Sequence, residues 1–158
     1  MLKVWSEMLE TVDASTGLRV FQKAIPTDNV VLDTVRATIV CINDPGFSSV
    51  SMKIYSMDSS DNPKKLLYSS TNSYTKAEVM TLTNGIYDIP FEFDSVPLKG
   101  GDAYAFVLRI TSYTFSSSSF IGWRKDFPDP VYKTNQAFSS VANVGTVSYS
   151  IQFIGKNL

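Results

Sequence analysis

The chain's 158 residues, 44% hydrophobic and 18% charged, suffice for one folded domain with a single core. A net charge of −1 and scattered cations, closest together at Lys64-Lys65 and Arg124-Lys125, leave no field to recruit nucleic acid. The absence of histidine removes the usual general base, the commonest metal ligand and every Ser-His or Cys-His nucleophile, so no catalytic residue and no cofactor are expected.

Taken in chain order, residues 1–16 are expected to form an N-terminal arm or an edge strand of one domain spanning 1–158. Leu2, Val4 and Trp5 are the candidate docking residues of that arm. The opening residues contain no continuous apolar stretch and no cleavage site, so no signal peptide is expected. No window approaches the roughly 20 apolar residues of a membrane span, so no membrane insertion is expected.

Arg19 to Ala24 reads as a short strand, followed by the long β-branched run Val30 to Ile42, with Val35, Ala37, Ile39 and Cys41 in phase. The breaker Asn43-Asp44-Pro45-Gly46 precedes Val50 to Tyr55, whose Val50, Met52 and Ile54 alternate inward. Lys65 to Ser70 and Val79 to Thr83 are shorter strand candidates. Ile86 to Asp94 sets Tyr87, Ile89, Phe91 and Phe93 on one face, and Pro90 within it marks an edge strand or a bulge. Ala103 to Thr111 places Tyr104, Phe106, Leu108 and Ile110 on one face, and on the other Ala105 and Val107 give way to Arg109 and Thr111. One face of this strand should therefore meet the core while the other is partly covered. Phe120 to Arg124, Gln136 to Val141 and Val147 to Phe153 complete the set. Helical periodicity is almost absent. About eight to ten short strands separated by turn residues predict an all-β fold, a single antiparallel β-sandwich.

Candidate sites follow from side-chain chemistry. Cys41 lies in an apolar stretch and reads as a buried small hydrophobe. Asp58, Asp61, Asp126 and Asp129 fall at loop positions and read as turn formers, since no calcium-loop pattern surrounds them. Asp88, Glu92 and Asp94 share a strand face, which reads as solvated rather than as a glycosidase pair. Neither phosphate-loop nor dinucleotide glycine motifs occur. The aromatic residues are concentrated between Tyr113 and Tyr132. Tyr113, Phe115, Trp123, Arg124 and Tyr132 form the candidate binding set, because rings beside polar groups suit both sugars and protein interfaces. For Trp123 the competing expectation is a place in the core.

The order of these segments resembles small jelly-roll modules of phage virion accessory proteins and of carbohydrate-binding modules. The likeness rests on Val50-Ser-Met-Lys-Ile-Tyr55, a Leu-Leu-Tyr-Ser strand, Tyr87-x-Ile-Pro-Phe-x-Phe93 and the turn Val96-Pro-Leu-Lys-Gly-Gly-Asp102. It continues through Ala103-Tyr-Ala-Phe-Val-Leu108, Gly122-Trp123 and the closing Phe153-Ile154-Gly155, and so covers roughly Arg19 to Gly155. The resemblance implies a jelly-roll-like sandwich that works by binding or assembly. Carbohydrate-binding relatives often place an acidic residue just before the last strand, but the position near Ser148 is not acidic, so no metal is expected. A chain without an export signal looks more like a head-decoration, head-fibre or tail-associated protein, assembled into a virion in the host cytoplasm. Its expected partners are other virion proteins or further copies of itself, and the alternative partner is a cell-surface carbohydrate met by exposed aromatics.

Overall fold

Alternating apolar residues in runs rich in Val, Ile, Phe and Tyr can satisfy their backbone groups and bury one face only by pairing into sheets. The computed structural model shows how they pair. It describes residues 6–8, 21–26, 28–60, 63–82, 86–112, 119–126, 133–134, 141–142, 148–149 and 151–157.

The elements in chain order begin with β1 (Ser6–Met8), β2 (Phe21–Pro26), β3 (Val30–Ile42), β4 (Ser49–Met57) and β5 (Pro63–Ser69). Then come β6 (Tyr74–Thr75), the only described helix α1 (Lys76–Leu82), β7 (Ile86–Leu98), β8 (Tyr104–Thr111) and β9 (Phe120–Asp126). The chain closes with β10 (Lys133–Thr134), β11 (Val141–Ala142), β12 (Ser148–Tyr149) and β13 (Ile151–Asn157).

Four of the pairings are nested: β1 pairs with β9, β2 with β8, β3 with β7 and β4 with β5, each antiparallel. Two further ladders, β3 with β9 and β4 with β8, fold this nested hairpin over itself. The result is a sheet ordered β1-β9-β3-β7 and a second ordered β2-β8-β4-β5, the wrapping of a jelly-roll-like sandwich. β13 adds to the first sheet by pairing with β3 beyond the end of β9. The two-residue ladder between β10 and β13 is parallel, and the other described ladders are antiparallel.

One core joins the sheets. Leu32, Val35, Ala37 and Ile39 of β3, Ile89 and Phe91 of β7, and Ile151 and Phe153 of β13 face Val50, Met52 and Ile54 of β4 and Phe106, Leu108 and Ile110 of β8. Phe106 and Phe153 meet edge to face at 4.8 Å between ring centroids, a direct contact between the two layers. The outer face of β8 is also covered in part: Ala105 and Val107 are buried in a second cluster with Tyr55, beside Phe21 and Met57.

The buried phase changes within both β3 and β7. In β3 it passes from Val30 and Leu32 to Val35 and Ala37, and in β7 from Ile89, Phe91 and Phe93 to Val96 and Leu98. Leu32 pairs with Val96 and Thr34 with Glu92, so three residues of β7 oppose Asp33 alone. Ser95 takes the left-handed φ of 48° that this bulge needs and lies 3.3 Å from the Asp33 carboxylate.

The segment Val79 to Thr83, expected as a strand, begins within α1. The cause is a capping box. Thr75 Oγ1 accepts from the Glu78 amide at 3.2 Å, and Glu78 Oε1 accepts from the Thr75 amide at 3.1 Å. Val79 points into the core, and Met80 packs against it. Residues 136–140 of the strand expected from Gln136 and the start of the Arg19 strand lie outside the described residues, as do Ser150 and Val147 of the closing run.

Candidate functional site

Of the candidate binding residues, Trp123 is fully described and is 0% exposed. Its strand β9 lies between β1 and β3, with Trp123 opposite Glu7 on one side and Ile39 on the other. A ring with no exposed surface offers no face to a sugar or a partner, so Trp123 is a core residue and its candidacy as a binding residue is corrected. The apolar phase of β9, with Ile121 also buried, carries the ring inward. Arg124 is placed by its backbone alone, opposite Ser6. Tyr113, Phe115 and Tyr132, and the arm residues Leu2, Val4 and Trp5, lie outside the described residues. Of the candidate set, the described residues therefore place only Trp123 and the backbone of Arg124.

Cys41 is buried, as its apolar surroundings imply. Burial pushes its thiol up to about 11, against a smaller opposing pull from the Lys76 ammonium. A thiol so protonated at neutral pH is a poor nucleophile. Asp58 forms the expected turn, its carboxylate accepting from the Ser60 amide at 2.9 Å. Glu92 and Asp94 are exposed on the face of β7 opposite Ile89, Phe91 and Phe93, and Glu92 accepts from the Thr34 hydroxyl at 2.8 Å. Among the described residues, no three His, Cys, Asp or Glu side chains are grouped as a metal site would need.

The features with consequences for binding are the two strand edges. β7 pairs with β3 on one side, and its other side is met by residues 71–74. The Thr71 amide donates to the Glu92 carbonyl at 2.7 Å. The Asn72 side chain acts as a substitute strand: its Oδ1 accepts from the Glu92 amide at 2.8 Å and its Nδ2 donates to the Pro90 carbonyl at 3.1 Å. Tyr74 also donates its hydroxyl to Pro90. In an antiparallel strand one residue's N–H and C=O point the same way. The Pro90 carbonyl points away from β3, so the N–H that proline lacks is missing from this outer edge and costs no ladder bond.

β5 is different. It pairs with β4, and among the described residues no strand meets its outer side. Ile54 lies opposite Tyr68 and Tyr55 opposite Leu66, which leaves Leu67 as an extra residue in a bulge. Lys64, Lys65, Leu66 and Leu67 are exposed in succession. Leu66 at 44% and Leu67 at 36% are the large hydrophobic side chains most open to solvent among the described residues. Tyr68 turns back to pack on the core. A strand covered on one face only cannot bury two consecutive leucines, so Leu66-Leu67 beside Lys64-Lys65 is the sequence signal for this surface, and reading by faces alone passes over it.

The arrangement can donate and accept backbone hydrogen bonds along an open strand edge, offer apolar contact at two leucines and attract negative charge through lysines. Comparison with known proteins finds no matching family model, no similar curated protein and no similar solved structure.

Proposed function

We propose that the chain is a non-enzymatic virion structural protein, a head-decoration or tail-associated module that docks onto other virion proteins. Its place of action in this reading is the virion, assembled in the host cytoplasm. The observation that carries the docking part is the open edge of β5 with its exposed Leu66 and Leu67, in a sandwich whose β7 edge is closed by its own side chains. Exposed edges of this kind are ready templates for another chain. The virion part is supported by the layout of the strands from Arg19 to Gly155, which resembles phage accessory modules.

Sedimentation of the purified chain with and without virion particles, run beside a glycan array, tests the proposal. Co-sedimentation with particles and no glycan signal is the expected result. A monomer that ignores particles and binds a defined glycan, with binding lost in Tyr113→Ala or Tyr132→Ala, overturns it in favour of a carbohydrate-binding module.

A further inference from the structure

We infer that the open edge of β5 receives an extended acidic segment of a partner protein as an added strand. The inference rests on the docking reading above and specifies the chemistry of the partner.

Charge is the first ground. The strands of the second sheet, β11, β2, β8, β4 and β5, contain Lys23, Lys53, Lys64, Lys65 and Arg109 and no carboxylate, in a chain of net charge −1. The first sheet mixes both signs, with Asp33, Glu92 and Asp94 around the β7 bulge. Three of the second sheet's cations, Lys53, Lys64 and Lys65, lie on β5 or on its neighbour β4. Lys53 reaches across the β4–β5 ladder to its partner Ser69, Nζ to Oγ 3.2 Å. The β4–β5 turn carries the carboxylates of Asp58 and Asp61, with Asp58 accepting from the Ser60 amide. Acidic side chains arriving along the strand itself meet the ammonium groups of Lys64 and Lys65.

Apolar exposure is the second ground. A strand edge guarded only against association would carry lysines and polar residues throughout. β5 carries Lys64 and Lys65, then exposes Leu66 and Leu67. An added strand would satisfy backbone groups of the edge, seat an apolar residue against the leucines and set its carboxylates toward the lysines, the division of labour of strand-addition complexes.

Two other occupants fit less well. A second copy pairing antiparallel through the same edge would place two Lys64-Lys65 pairs in one ribbon with no acid between them. Single-stranded nucleic acid is held by stacking on exposed rings. Here Tyr55 is 6% exposed and Tyr68 packs on the core.

The test titrates two blocked peptides, one alternating Glu and Val and one alternating Lys and Val, into the isotope-labelled full chain, with amide shifts and exchange rates as readout. The Glu/Val peptide is expected to shift and protect amides between Lys64 and Ser69. The double variant Lys64→Glu/Lys65→Glu changes two exposed residues, so the fold persists. It should bind the Glu/Val peptide about tenfold or more weakly and gain affinity for the Lys/Val peptide. No response of β5 amides at millimolar Glu/Val peptide overturns the inference, as does an equal response to both peptides. Displacement by a single-stranded oligonucleotide, or self-association abolished by the double variant, overturns it in favour of the other occupants. If the double variant still co-sediments with virion particles, the dock lies elsewhere on the chain and the proposed function stands without this edge.

Discussion

On β7 the free side is filled from the same chain: Thr71, Asn72 and Tyr74 bond the outward groups of Pro90 and Glu92. On β5 no described strand meets the outer side, and Lys64 to Leu67 are exposed. The two strands also differ in what they bury. β7 sends Ile89, Phe91, Phe93, Val96 and Leu98 inward, whereas β5 contributes Pro63 and part of Tyr68. An edge carrying so much of the core must be fixed in register, because a one-residue slip would turn all five side chains outward. Asn72 fixes it by bonding two positions at once. β5 contributes little to the core, so the fold tolerates an outer side that no described strand meets, and the proposed docking would use that freedom.

The contrast makes quantitative expectations. Phe91→Ala, in the strand that carries the core, should cost about 3–5 kcal/mol in urea unfolding, by lost burial and an unfilled cavity. A loss below about 1 kcal/mol would mean that the β7 side of the core collapses freely around the gap. Asn72→Ala should cost about 1–2 kcal/mol and speed hydrogen exchange at the Glu92 amide, whose acceptor it removes. Unchanged exchange at Glu92 would show that β7 is closed by something other than Asn72. Smallest of all, Leu66→Ser and Leu67→Ser should each change stability by no more than about 0.5 kcal/mol, since both side chains are already open to solvent. A loss above about 2 kcal/mol in either would place that leucine against the chain itself and remove the contrast.

Much of this is legible in the sequence. The phase of Val35, Ala37, Ile39 and Cys41, and of Tyr104, Phe106, Leu108 and Ile110, matches the buried faces of β3 and β8. Pro90 correctly marked an edge, because a missing N–H is tolerated only where no neighbour needs it. The helix was not legible from periodicity, since a seven-residue segment whose described side chains bury Val79 alone shows no repeat. Its signal was local, the Thr75 and Glu78 spacing of a capping box. Trp123 could not be assigned by composition, because an aromatic in a short strand suits a core and a binding loop equally, and only its place between β1 and β3 resolves it.

Alternation of apolar side chains by itself determined an all-β sandwich, since a period of two leaves one face to bury. The lack of histidine likewise excludes a histidine base or ligand. That the β7 edge is closed, and that no described strand meets the outer side of β5, belongs to tertiary structure alone. It depends on where the segment after β5 lands, and a side chain such as Asn72 can substitute for a strand only once the fold has brought Pro90 and Glu92 beside it.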